Sequence, residues 1–299
     1  MKHNVFDDAE TKPEEKRKSI FELYKQNNTM ERDFNRIRLL LDSNHGVVSK
    51  DFQGQDCSVK DIAADEFPQW KNRGRCLNYD DFLSTIGIER IEKQAPYNEN
   101  MFLLYIELTY NTWYMADAYV SCHSYYYRWG KDGIQLREMM DEVLSEMNQK
   151  AYYDSETEQC LIGEDSPQIT AAVEATEPET ASQILHYNHR QLAGKISEKK
   201  GILQNLAKYL EGRESELKPI NMQLFTDLNT AFNNLDIRHN NIVQRDSSDY
   251  KEKLAQMTPE ELEKWYDDVY QLILLAILEM DNVDRRKRLR TLIQDINQK

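Results

Sequence analysis

The sequence predicts an all-α protein made of helical bundles, and three observations carry that prediction. Glu, Lys, Leu, Gln and Met, all good helix formers, are frequent, while Gly (10) and Pro (7) are scarce in 299 residues, leaving little material for tight turns or Gly-rich phosphate loops. Apolar residues recur at helical spacing in one segment after another. No run alternates convincingly with the period of two that a half-buried strand requires.

Taken in order, residues 1–16 are charged and read as a flexible N-terminus. Over residues 19–41 the positions Ile20, Phe21, Tyr24, Met30, Phe34, Ile37 and Leu41 approximate helical spacing. Residues 42–77 are rich in turn formers and predict a loop-rich connection with a short helix near 59–67. A short helix follows over 80–91, interrupted near Gly87. Residues 98–129 predict a long helix that is apolar or aromatic on nearly every face, and hence central. Gly130 and Gly133 end it, and helix resumes over 134–150. Residues 153–181 change composition, with eight acidic residues plus Pro167 and Pro178. They read as an acidic linker, holding one short helix, between an N-terminal domain (17–152) and a C-terminal bundle (182–299).

A helix after Pro178 runs to about Glu211. The next, over 219–235, places Ile220, Leu224, Leu228, Phe232 and Leu235 on one face. Residues 244–257 are loop-like. Thr258-Pro259-Glu260-Glu261 is a strong start signal, with Thr as cap, Pro at the first helical position and Glu three residues after the cap. A last basic helix is expected over 283–297. No repeat at solenoid spacing is evident.

Composition bounds the function classes. The net charge is -14, which disfavours a whole-surface nucleic-acid binder and leaves room for a local basic patch. Cys57, Cys76, Cys122 and Cys160 form no close pair and have no zinc-finger spacing. With a polar opening segment and a longest apolar run (272–278) too short to cross a bilayer, the expectation is a cytoplasmic protein with reduced thiols and no membrane partner. There is no Gly-rich phosphate loop, no Ser nucleophile elbow and no His-Glu-x-x-His helix. His186 and His189 share a helix face, but no Cys or carboxylate joins them at ligand spacing, so no metal or other cofactor is expected. Cys122 and His123 are adjacent and point to different faces. The aromatic stretch over 105–127 reads as core. Tyr125, Tyr126 and Tyr127 fit less well, since three neighbours cannot all face inward.

Two polar segments stand out. Arg285, Arg286, Lys287, Arg288 and Arg290 form the one basic cluster of an acidic chain. It suits a phosphate backbone, or is a solvated face balanced by Asp281 and Asp284. Residues 233–242 crowd Asp236, Arg238, His239, Asn240 and Asn241 at the end of a helical pattern. They can cap the helix, form a buried network in which Asp236 and Arg238 pair, or hold a phosphate. Arg binds phosphate bidentately and His exchanges protons near neutral pH. Those are the parts needed to cleave an RNA phosphodiester through its own 2′-hydroxyl.

The layout of residues 180–299 resembles the HEPN superfamily of small helical-bundle domains, which carry an Arg-polar-(several residues)-His motif at a helix junction. Arg238 matches the Arg, and His239 matches the polar residue beside it. Ile242, Val243 and Gln244 stand where the family's His falls, and no His follows His239. On this kinship either the catalytic His is lost or His239 has taken its role. The resemblance implies a metal-independent ribonuclease of a bacterial defence or toxin–antitoxin setting, acting as a homodimer. Arg238 and His239 would be catalytic, Asp236 and Asn240 would orient them, and the basic cluster would bind RNA. The rival expectation is a non-catalytic interaction or regulatory protein. It would bind a protein partner through its N-terminal helical domain, with residues 238–241 as a structural network. A small-molecule sensor is a third reading, and it predicts a closed pocket lined from residues 105–127. Burial discriminates between the first two: an exposed, concave Arg238–His239 pair supports a site, and a buried, paired Arg238 supports the network.

Overall fold

The computed structural model describes residues 19, 20, 22, 28–51, 54–88, 98–243 and 248–297. The expected flexible residues 1–16 lie outside them. The protein is all-α as predicted: the described residues are 67% helical, and among them only two small two-stranded sheets occur.

The N-terminal half packs α1 (Met30–Leu41), α2 (Val59–Glu66), α3 (Tyr79–Thr85), α4 (Glu99–Cys122) and α5 (Lys131–Glu146) around one apolar core. As its all-round apolar pattern requires, α4 is the central helix. Phe102, Leu103, Tyr105, Ile106 and Tyr110 are all essentially inaccessible. The hydroxyls of Thr109 and Thr112 stay satisfied by donating to the carbonyls of Tyr105 and Leu108 at 2.8 and 2.9 Å. The helix is capped by Asn98 and stops at Cys122, short of the expected 129. Residues 127–129 instead form β2 (Tyr127–Trp129), paired antiparallel with β1 (Val47–Ser49). A close approach fixes this turn. The Gly130 N–H donates to Gly46 O at 2.9 Å, and a Cβ at Gly130 would lie 2.0 Å from His45 O. Only glycine fits there.

The C-terminal half packs α6 (Pro167–Glu174), α7 (Pro178–Asn188), α8 (Ile196–Gly212), α9 (Glu214–Leu217), α10 (Met222–Asn234), α11 (Glu252–Ala255) and α12 (Pro259–Asn297) around a second core. The expected helix from Pro178 to Glu211 is broken into α7 and α8 by a 3-10 turn (Arg190–Leu192) and by Gly194 at φ 77. The capping box at the start of α12 forms as read. Glu261 N–H donates to Thr258 Oγ1 at 3.2 Å, and Thr258 N–H donates to a Glu261 carboxylate oxygen at 2.9 Å. The two helices expected after it are one continuous helix of 39 residues.

Between the cores stands a hairpin of β3 (Gln149–Asp154) and β4 (Gln159–Glu164). Its faces alternate. Cys160 and Ile162 enter the N-terminal core, and Tyr152 and Leu161 enter the C-terminal one. The acidic linker read over 153–181 is therefore replaced by β4, α6 and the start of α7. Glu156, Glu164, Glu174, Glu177 and Glu179 are exposed while Ile162, Ile169 and Ala172 are buried. A strand covered on both faces shows no polar alternation, which hides it from pattern reading.

Candidate functional site

The polar cluster begins where α10 ends. Leu235 caps the helix and Asp236 takes a left-handed conformation (φ 60), as Asp can just beyond a helix terminus. The chain then folds into a tight polar knot. Asp236 N–H donates to Asn241 Oδ1 at 2.8 Å, and Asn241 N–H returns a bond to Asp236 Oδ1 at 2.7 Å. Asn241 Nδ2 donates to Asp249 O at 2.7 Å, and Asn241 O accepts from Lys251 N–H at 2.8 Å. Asn241 is completely buried, so each of these bonds satisfies a group that water cannot reach.

Helix α8 closes the knot from one side. Lys200 Nζ lies 2.7 Å from the second Asp236 oxygen, and Gln204 Nε2 donates to Ile237 O at 2.6 Å. Ile237 itself is fully buried in the C-terminal core. The Asp236 carboxylate faces Tyr266 on α12, and burial first, then this charge, pushes the Tyr266 phenol well above its ordinary pKa.

Arg238 is held across the C-terminal turn of α10. Its guanidinium donates to Asn229 Oδ1 (3.0 Å) and Asn233 Oδ1 (3.3 Å), and pairs with Glu211 of α8. It lies 5.0 Å from the centre of the Phe232 ring, and only 22% of the side chain is exposed. His239 and Asn240 are exposed on the outside of the turn. The four residues of the expected site thus share one loop but not one surface: Asp236 and Arg238 face the bundle, and His239 and Asn240 face solvent. The expected Asp236–Arg238 pair is replaced by two separate pairs, Asp236 with Lys200 and Arg238 with Glu211. Asn241, the centre of the knot, was legible only as one Asn among several.

The basic cluster lies elsewhere. Helices α10 and α12 pack against each other, with Asn221 at the start of α10 bonded to Glu279 and Asp236 past its end facing Tyr266. The two helices are therefore antiparallel. Arg285 to Arg290 lie beyond Glu279, roughly 30 Å along the helix axis from the level of the knot at 1.5 Å per residue. Within one chain the two sets cannot share a phosphate. The last buried residue of α12 is Met280, and from Asp284 to Asn297 every residue is exposed. Arg285 pairs with Asp281 and Lys287 with Asp284. Among the described residues, Arg286, Arg288 and Arg290 have no acidic partner. On the same segment Leu289, Leu292, Ile293 and Ile296 are 47 to 62% exposed. Their spacing puts them on one face, a stripe that the surrounding charge obscures in the sequence.

His186 and His189 turn to different carboxylates. His186 Nε2 is 3.3 Å from Asp154, and His189 Nε2 is 2.7 Å from Glu107. Asp154 is buried and also accepts from Ser182 Oγ (2.7 Å), Thr157 Oγ1 (2.6 Å) and the Glu156 N–H (3.0 Å). Burial alone would raise its pKa. The bonds from His186, Thr157, Ser182 and Glu156 outweigh that and hold the carboxyl well below its ordinary range. Together these contacts pin the hairpin to α7. Of the aromatic stretch, Tyr105 and Tyr110 are core, while Tyr125 and Tyr126 stand at the surface.

No family model, curated protein or solved structure matches this chain.

Proposed function

We propose that this chain is a non-catalytic helical interaction protein in which the 236–241 loop is a structural knot. The engagement of Arg238 carries the reading. A guanidinium that grips a reacting phosphate must offer its N–H groups to an open space. This one spends Nη1 on Asn229 and Asn233 and Nη2 on Glu211, covers Phe232, and has its Nε buried away from solvent. The exposed end of α12 supplies a surface for a partner. Its stripe of Leu289, Leu292, Ile293 and Ile296 lies among basic side chains, which suits a partner groove that is apolar inside and acidic at the rim.

RNA binding at the same segment is the second reading, favoured by Arg286, Arg288 and Arg290, which have no acidic partner among the described residues. The test is purified protein with total RNA, with and without chelator, beside Arg238→Ala. The expected result is no RNA turnover by either protein and a less stable Arg238→Ala. Metal-independent cleavage by the parent, lost in an Arg238→Ala variant that melts like the parent, would restore the HEPN-type ribonuclease. RNA affinity that falls with salt and with replacement of Arg286, Arg288 and Arg290 by Ala would establish the second reading.

A further inference from the structure

Two adjoining hollows open on the N-terminal half, of about 170 and 230 Å³, sharing Trp70 and Asn111 in their walls. The smaller is lined by Trp70, Tyr114 and Tyr153 together with Glu66 and Glu158; the Tyr114 and Tyr153 rings pack with centroids 4.7 Å apart, and Arg137 lies over the Tyr114 ring. The larger is mostly aliphatic and aromatic, with Phe82, Ile86, Leu104 and Leu108 among its lining. Aromatic faces carry negative charge density, and carboxylates beside them complete an environment suited to a poorly hydrated cation. We propose that the smaller hollow binds an alkylated ammonium head and the larger one its apolar chain.

Three observations point to that ligand. First, Glu158 of this lining already pairs with an ammonium, the Nζ of the exposed Lys71. Second, Glu158 sits in a left-handed conformation (φ 54). Gly or Asn would adopt it with less strain, so this position keeps a carboxylate against a backbone cost. Third, the walls are fixed before any ligand arrives. Asn72 donates to the carbonyls of Thr157 (2.8 Å) and Glu158 (3.2 Å) and accepts from Gln159 (2.8 Å). Asn111 exchanges two bonds with the Cys160 backbone. The turn that carries Glu158 is thereby bound to the segment that carries Trp70, and such preorganisation favours binding. The chemistry is the same whether the head belongs to a free amphiphilic amine or to a methylated lysine in an apolar segment of a partner.

The experiment is calorimetric titration of the full chain with hexyltrimethylammonium, with tetramethylammonium, with a leucine-flanked trimethyl-lysine peptide, and with the uncharged isostere 3,3-dimethylbutan-1-ol. Hexyltrimethylammonium or the peptide should bind, and the tighter of the two identifies the source. Loss of the chain should weaken binding by roughly tenfold or more. Glu158→Gln and Tyr153→Leu, both at accessible positions, should each weaken it by roughly 3- to 10-fold with melting unchanged. Lys71→Ala, which frees Glu158, should strengthen it. Binding of the neutral isostere as tight as the cations, no binding by either tailed cation, or insensitivity to both Glu158→Gln and Tyr153→Leu would overturn the proposal.

Discussion

The loop at 236–241 and the end of α12 are two polar stretches of the C-terminal half, and the fold uses them in opposite ways. In the loop the polar groups of Asp236 and Asn241 find partners inside the protein, Arg238 pairs with Glu211, and Asn241 is wholly buried. At the end of α12 the charges pair only with neighbours on their own helix, or with nothing among the described residues, and the apolar side chains face outward. Density of polar residues is therefore a poor guide to a site. A buried network uses up the capacity to bind, whereas an unpaired surface retains it.

The comparison can be broken most directly at Asn241. Asn241→Ala removes one buried and one part-buried side-chain bond and strands the buried Asp236 N–H. It should cost about 2 to 4 kcal/mol, measured by urea unfolding; a cost near zero would mean that the knot does not hold the bundle. Arg238→Ala should cost less, about 1 to 3 kcal/mol, because the side chain is partly exposed and its partners can reach water.

Asp154 sharpens the contrast through pH. Its folded pKa is depressed, so its contribution is present above the unfolded value near 3.8 and is lost as pH falls through the lower folded value. Asp154→Asn should destabilise by about 1 to 2 kcal/mol at neutral pH, with the gap to the parent closing below about pH 4. A gap constant from pH 7 to pH 3 would refute that. Replacing Leu289 and Ile293 together by Ser, or His239 by Ala, should move stability by no more than about 0.5 kcal/mol in thermal melts. A larger loss from the Leu289 and Ile293 change would show that the end of α12 is folded against something in the free protein.

Much of the fold was legible. The central position of α4 followed from residues that are apolar on nearly all faces, and the start of α12 from Thr258, Pro259 and Glu261. The β3–β4 hairpin was not legible, because Cys160, Leu161 and Ile162 are apolar on both faces and its acidic residues imitate a linker. At the candidate site the sequence located the cluster but misassigned its pairs. Lys200, Gln204 and Glu211 lie some 25 to 40 positions earlier in the chain, and nothing local announces them as partners of Asp236, Ile237 and Arg238. Tyr114 falls in the stretch that the sensor reading singled out, but Trp70 and Tyr153, which join it in lining the smaller hollow, were not legible as its neighbours for the same reason.

The sequence by itself determined the helical class and the capped start of α12, because these depend on interactions within a turn or two of chain. Only the tertiary structure decided that Arg238 faces Glu211 and Asn229, that His239 faces solvent, and that α12 outruns its bundle. Those outcomes depend on which distant side chains share a surface. A polar side chain goes where its last hydrogen bond is met, and that partner is chosen by packing rather than by spacing.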